Sequence, residues 1–379
     1  MPKTSTTNDL ERLRQQLQAE QKKIQATITM CAGTGCQASH SRAVLDALKN
    51  ELSKNGFKNT IRIRATGFHG FCEQGPSMIL DPGNIFYCRV TPDDILDIVS
   101  QTVAGGKIVD RLLYTDPVSG KKVHTVTEIP FYRAQDRHLL AMNQQVDPCS
   151  LEDYIAIGGY TALAKTIGKV DPEGVIEEIK ASGLRGRGGG GFSTGQKWTE
   201  CREAPGDEKY VICNADEGDP GAYMDRCVLE GNPHLVFEGM MIGAWAIGAQ
   251  KGYIYVRNEY PLAVKHARIP VEQAREWGFL GENNLSTPFS FDVEIARGGG
   301  AFVCGESTAL MASIQGKVGE PRPKDVHTVA DGLWHMPTTL NNVETWANIP
   351  FIMLNGPAWF AAKGTRGSKG TKISLLPAM

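Results

Sequence analysis

No stretch of this 379-residue sequence is apolar for long enough to cross a bilayer; the longest such run, residues 240–249, is about half of what a spanning helix needs. An apolar leader is missing as well, and the polar, helix-prone residues 8–25 suit an exposed leading helix or partner arm. Neither sign of charge is in excess: a formal net charge of -2 and a pI near 6.5 leave no broad basic field for nucleic acid or an anionic membrane surface. The context for a disulfide framework is also lacking, because nine cysteines without a secretion signal read as reduced thiols. These absences predict a soluble globular protein of the cytoplasm, with cysteines that serve as metal ligands or as buried apolar groups.

Residues 27–108 alternate short strands with helical periods. ATITMC and TIRIRAT are strands around a helix whose Val44, Leu45, Leu48 and Leu52 recur at helical spacing before Gly56. PSMIL and NIFYCRV follow as a hairpin across Asp81, Pro82 and Gly83, and then a helix begins with Thr91 as N-cap and Pro92 in its first turn. The order β-α-β-β-α is that of a thioredoxin-like domain. Residues 109–148 mix Gly, Pro, Lys and Asp without a sustained period and read as a linker. From 149 to 365, helical stretches alternate with the strands KYVICNA and YIYVR, which predicts a larger, mostly parallel α/β domain. Residues 366–379 resemble the start of one more strand. The expected fold class is thus α/β, with the thioredoxin-like domain first and the larger domain second.

The chemistry concentrates in loops. Residues 183–198, GLRGRGGGGFSTGQKW, place glycines beside Arg187 and Lys197; glycine lets successive amides approach a phosphate, and the cations supply charge. Composition alone leaves a flexible linker open. Neither a Rossmann nor a P-loop spacing is present. Yet VICNADEGDPGAYMDR sets Asn214, Asp216, Glu217 and Asp219 directly after an apolar strand, RGGGAFVCGESTALM repeats that arrangement with Gly305 and Glu306, and TTLNNVET adds Asn341 and Asn342. Ligands of α/β sheets bind at such strand ends. Taken singly, Asp216 and Glu217 also read as a helix cap, Arg187 as a solvated charge and Asn341 as a turn residue.

In order and spacing these segments resemble the flavoprotein subunit of the NADH-dehydrogenase module of respiratory complex I, a family that includes the diaphorase subunits of NAD-linked hydrogenases and formate dehydrogenases. The resemblance spans about residues 150–372. It implies an NAD(P)H:acceptor oxidoreductase subunit that binds FMN and NADH or NADPH and passes electrons to iron-sulfur subunits of a hydrogenase, formate dehydrogenase or complex I-like assembly. It also implies FMN contacts at Gly186, Arg187, Gly188, Gly189, Lys197, Asn214, Asp216, Gly305, Glu306, Asn341 and Asn342, and nicotinamide-side contacts at Phe192, Glu217, Asp219 and Lys324. No side chain is assigned an acid or base role, since hydride transfer to flavin needs only orientation. The alternative is a non-catalytic docking or remnant subunit.

MCAGTGC and GFHGFCEQGP place Cys31, Cys36 and Cys72 in glycine-containing loops. They resemble the thioredoxin-like [2Fe-2S] ferredoxin pattern, which implies those three residues as metal ligands. Phe68 stands where the fourth cysteine belongs, and an aromatic carbon ring cannot bind iron. Ligation by Cys88, ligation by His69, and a labile or absent cluster all remain open, the last being the expectation. Relatives continue into a ubiquitin-like domain and a [4Fe-4S] domain, whereas this sequence stops at Met379 with neither, so a truncated or split gene product is the further expectation.

Overall fold

A computed structural model describes residues 6–323, 325 and 327–375. The chain divides into a smaller unit, residues 15–148, and a larger one, residues 149–375 together with residues 6–14. The first helix, α1 (Thr7–Gln21), is mostly exposed, as its polar sequence suggests. Its opening turns are nonetheless anchored in the larger unit: Leu10 is buried, and Arg14 donates through Nε to Ile155 O at 3.1 Å and through Nη2 to Thr161 Oγ1 at 2.6 Å. An arm free along its whole length is therefore not what forms.

The smaller unit runs β1 (Ala26–Cys31), α2 (Thr34–Ala38), α3 (Ser41–Lys54), β2 (Ile61–Thr66), β3 (Met78–Asp81), β4 (Ile85–Tyr87) and α4 (Ile95–Asp97), the last continuing as a π-helical stretch Ile98–Ala104. The sheet order is β2-β1-β3-β4, with β1 and β2 parallel and the other pairs antiparallel, which is the thioredoxin-like arrangement. Val44, Leu48 and Leu52, four residues apart on one face of α3, pack on Ile28, Met30, Met78 and Leu80. Residues 109–148, read from sequence as a linker, instead form the hairpin β5 (Tyr114–Thr115) and β6 (Lys122–Val123), then α5 (Pro130–Arg133) and α6 (Leu139–Met142). Tyr114, Val123, Val126, Ile129 and Tyr132 join Ile79, Phe86 and Cys88 in a second apolar cluster, so this segment belongs to the unit's core.

The larger unit begins with α7 (Leu151–Ala156), α8 (Thr161–Thr166), α9 (Pro172–Ser182) and α10 (Thr194–Glu203). It continues through β7 (Tyr210–Ala215), α11 (Met224–Gly231), α12 (Pro233–Ile247), β8 (Lys251–Arg257), α13 (Pro261–Glu276), β9 (Asp292–Gly298), α14 (Ser307–Ile314), β10 (Thr338–Asn342), α15 (Val343–Asn355) and α16 (Pro357–Ala361). All four strands are parallel, in the order β10-β7-β8-β9. Side chains alternate across the strands. Tyr210, Ile212, Tyr253 and Tyr255 face Leu310 and Met311 of α14, while α12 and α15 lie against the sheet from elsewhere in the chain. At Gly239 a Cβ would stand 2.0 Å from Trp346 O, so glycine is what allows α12 and α15 to approach so closely.

Candidate functional site

The strand register brings four strand ends to one edge. Asn342 lies opposite Asn214, Ala215 opposite Val256 and Arg257 opposite Gly298, all at the C-terminal ends of their parallel strands. The residues that follow, 214–219 after β7, 257–259 after β8 and 299–306 after β9, rim the same crevice, the position that open α/β sheets use for ligands.

The glycine loop closes on itself below and opens above. Gly186 N donates to Phe192 O at 2.9 Å and Thr194 N to Leu184 O at 3.0 Å, which pinches its neck. Gly188, Gly189 and Gly190 form an exposed tip; Gly189 has φ 103° and Gly191 φ 61°, and nothing lies within 4 Å of where a Cβ would stand on residues 189–191. At the base, Arg187 N donates to Thr345 Oγ1 at 2.9 Å, and a Cβ on Gly188 would lie 3.2 Å from Asn342 Cβ. The loop is thereby seated on the first turn of α15.

Several predicted contacts are committed inside the protein. The Arg187 guanidinium turns away from the loop tip and donates to Lys369 O at 2.6 Å and Thr371 O at 3.1 Å, with Glu344 at 3.8 Å. Lys197 Nζ donates to Leu340 O at 2.9 Å, and burial pulls its pKa down against the attraction of Glu200 and Cys201. Asn341 is buried; with its amide oriented to satisfy both neighbours, it accepts from Trp198 Nε1 at 3.0 Å and donates to Leu340 O at 3.1 Å. Asn342 accepts from Glu344 N at 2.9 Å, capping α15, and donates to Asp225 Oδ2 at 2.5 Å.

On the β7 side, Asn214 Nδ2 donates to Gly305 O at 2.9 Å while its Oδ1 accepts from Asp216 N at 3.0 Å, tying two of the loops together. Glu217 accepts from Met224 N at 2.7 Å, Asp225 N at 3.1 Å and Arg226 N at 3.2 Å, so its carboxylate caps α11. Glu306 does the same for α14 through Thr308 N and Ala309 N. Burial alone would raise the Glu306 carboxyl, but these amides and the Thr308 and Ser307 hydroxyls outweigh it and lower it. Asp219 is exposed and accepts Ala222 N through its backbone oxygen. Lys324 lies outside the described residues.

Asp216 differs from these. It is 8% exposed, yet neither carboxyl oxygen has a hydrogen-bond partner, and Arg257 Nη1, also without one, stands 3.5 Å away. Burial pushes this carboxyl up to about 6; the attraction of Arg257 opposes the rise and the charge of Glu259 adds to it. Phe192, within the glycine loop, is 50% exposed and Phe302, after β9, 66%, unusual for rings that size. A Cβ on Gly218 would stand 2.6 Å from the Phe302 ring, so the glycine lets that ring lie against the β7 loop. Unfilled polar atoms and bare aromatic faces at one sheet edge suit a flat, polar-edged ligand with a phosphate at the glycine tip, and the residues fit FMN. Sequence reasoning missed Arg257 and Glu259, which the same strand-end rule applied to YIYVR would have found, and Asp225, Glu344 and Thr345, which lie within segments it had already singled out.

In the smaller unit, Cys31 ends β1, Cys36 lies in α2 and Cys72 opens a 3-10 turn. A Cβ on Gly35 would stand 2.9 Å from Cys72 Sγ and one on Gly75 2.9 Å from Cys36 Sγ, so both glycines leave room for sulfur. The Cys36 thiol is pushed up by its hydrogen bond with the Cys31 thiol, then by burial and by the charges of Cys31 and Cys72. Those three thiols also act on buried Tyr132, whose hydroxyl has no hydrogen-bond partner. Phe68 is buried and offers no donor, Cys88 sits in the second apolar cluster, and His69 is lowered to about 3 by burial and then by Arg137. Among the described residues no three His, Cys, Asp or Glu side chains stand at metal-binding spacing. This donor set does not fit a four-thiolate cluster.

Residues 179–351 match the Nuo51 FMN-binding domain. The chain is 53% identical over 231 residues to the NADP-reducing hydrogenase subunit HndC of Solidesulfovibrio fructosivorans, covering 61% of this chain and 47% of that protein. It is 46% identical over 224 residues to a subunit of the NADH-quinone oxidoreductase of Aquifex aeolicus, covering 59% and 52%. Against the NAD-reducing hydrogenase HoxS subunit alpha of Cupriavidus necator it is 38% identical over 361 residues, covering 91% and 56%. The crystal structure of an NAD+-reducing [NiFe]-hydrogenase in the H2-reduced state superposes with a TM-score of 0.55 at 26% identity, over 96% of this chain and 61% of that one. The chain thus spans about half the length of the curated relatives it matches.

Proposed function

We propose that this chain, whose residues 179–351 match the Nuo51 FMN-binding domain, is a flavoprotein subunit of that family, and that its crevice binds FMN and works as the NAD(P)H:acceptor site of a larger electron-transfer assembly. The carrying observation is the convergence of the glycine tip, the β7 loop and the Gly305 turn at one sheet edge, with Asp216 and Arg257 holding unfilled polar atoms there. FMN bound there supplies hydride acceptance and one-electron release.

The chain's own groups bind and orient. The exposed amides of Gly188–Gly190 face a phosphate, Lys197 holds positive charge beneath them, and Asn214, Asp216 and Arg257 address the polar edge of the ring system. Phe192 and Phe302 offer faces for stacking, and Asp219 lies at the solvent side for the dinucleotide. Arg187, Glu217, Glu306 and Asn341 build the frame that holds these groups, each through bonds within the protein. Iron-sulfur subunits of a hydrogenase, formate dehydrogenase or complex I-like assembly are the proposed electron partners, and NADH or NADPH the donor.

The test is reconstitution of the full chain with FMN and anaerobic titration with NADH and NADPH, followed by flavin absorbance. Bleaching by either nucleotide is expected. A chain that stays colourless, or a bound flavin that neither nucleotide bleaches, points to the docking reading instead.

A further inference from the structure

Asp225 lies in the first turn of α11, beneath the crevice, and is 3% exposed. Its Oδ2 accepts from Asn342 Nδ2 at 2.5 Å, while its Oδ1 is buried without a hydrogen-bond partner. Two further carboxyls face it, Glu217 at the start of its own helix and Glu344 in the first turn of α15. The neighbouring cations are engaged elsewhere. Arg187 bonds the Lys369 and Thr371 carbonyls and stands nearest Glu344; Arg226 lies 3.9 Å from Glu230 and over the Tyr223 and Tyr260 rings; Lys372 acts on Glu344. From β7, the Cys213 thiol faces Asp225 and is itself pushed up by burial. No ion pair joins Asp225 to a cation among the described residues. A carboxyl buried among like charges without a counter-ion keeps its proton. Accordingly, burial and the charges of Glu217 and Glu344 raise Asp225 well above the usual carboxylate range, against the Asn342 hydrogen bond and the Glu344 backbone amide.

We propose that Asp225 is a positioning residue of the flavin crevice: its carboxyl fixes the Asn342 side chain, and through it the seat of the glycine loop. The inference rests on the flavin reading above. Asn342 has one amide oxygen and one amide nitrogen, and both are used, the oxygen by Glu344 N and the nitrogen by Asp225. Its Cβ in turn meets the place where a Cβ on Gly188 would stand, and Arg187 N bonds Thr345 one turn on. Loss of the Asp225 acceptor frees the Asn342 amide and loosens the surface on which the phosphate-binding tip rests. Ionisation of Asp225 would place another negative charge under a site that takes an anionic phosphate, and a neutral acid avoids that.

The experiment uses the full chain and two readouts: the FMN dissociation constant from quenching of flavin fluorescence, and the infrared carbonyl band of protonated carboxyls. Asp225→Asn keeps a neutral acceptor and is expected to bind FMN within about threefold of the native chain, whereas Asp225→Ala strands the Asn342 donor and binds at least roughly tenfold more weakly. The native chain shows protonated-carboxyl absorption at neutral pH, to which Glu344, raised to about 7, also contributes, and Asp225→Asn removes one component of it. Alanine binding as tightly as the native residue, asparagine as weak as alanine, or no such component overturns the proposal. Should the alanine variant fail to fold, the asparagine affinity and the band decide. Native protein that does not bind FMN defeats the flavin reading itself, which the infrared band, read without flavin, keeps separate from the protonation of Asp225.

Discussion

Asp216 is a carboxyl held in a protein wall with neither oxygen satisfied, and its pH behaviour follows from that. Folding raises it from its ordinary 3.8 to about 6, first by burial, so the folded state binds the proton more tightly than the unfolded chain. Stability therefore falls as pH rises from about 4 to about 6, by up to roughly 3 kcal/mol for a rise of that size, and is level above that as far as this group is concerned. Asp216→Asn removes the ionisation, so in urea unfolding of the flavin-free chain the variant should match the native protein near pH 4 and exceed it from about pH 6. Equal pH dependence of the two would show that Asp216 is already satisfied in the folded state. Phe68 poses a different residue-scale question, since Cys31, Cys36 and Cys72 supply three of the four thiolates that a cysteine-ligated [2Fe-2S] cluster takes. Anaerobic reconstitution is expected to leave the native chain short of stoichiometric iron and without the EPR signal of a reduced cluster, and Phe68→Cys to bring both. A stable, stoichiometric cluster in the native chain would refute this.

Elements are where packing overrode sequence pattern. The strands β7 and β8 are legible as apolar runs bounded by polar residues, because a strand covered on both faces has little choice of composition. The apolar stretch from Leu229 to Ala249 reads as one helix but is two. Pro233 takes the first turn of α12, and Asn232 caps it through Leu235 N at 3.3 Å, a break that hydrophobic periodicity cannot register. Residues 109–148 hide their role for the opposite reason, since Tyr114, Val123, Ile129 and Tyr132 enter the core one at a time from short turns and leave no period to read. In the site, the glycines and asparagines at strand ends are visible in sequence, but what each side chain is spent on is not. Arg187 reaches Lys369 O across 182 residues, a distance that no local pattern encodes. Glu238, unflagged in the sequence, shows what such long-range bonding contributes. It sits in the buried middle of α12 and accepts Tyr154 Oη at 2.5 Å, Tyr160 N at 2.9 Å and Leu163 N at 3.0 Å, so it holds α7 and α8 in place. Glu238→Ala strands two amides and a hydroxyl and should cost about 3 kcal/mol or more in urea unfolding, with Glu238→Gln markedly milder because it keeps an acceptor. A loss under about 1 kcal/mol in alanine would mean that water replaces the carboxylate.

For the whole molecule, the distribution of cores sets how ligand binding spreads. The smaller unit carries apolar clusters built from its own strands, helices and the 109–148 segment, and those of the larger unit include one around β7, β8 and α14. All the proposed FMN contacts lie in the larger unit, so FMN stabilises that unit by mass action. At about one hundred times its dissociation constant the gain is about 2.7 kcal/mol. For a unit of this size that moves the unfolding midpoint up by roughly 5–10 °C. Calorimetry of the full chain should show one transition that climbs with FMN and another that does not. The second transition should instead respond to Phe68→Cys loaded with iron, because metal binding to thiolates that only the folded unit gathers is folding free energy for that unit. If FMN raises both transitions by the same amount, or if only a single transition exists, the two units unfold as one cooperative body. The flavin site would then depend on residues 15–148 for its stability as well as on the sheet that frames it.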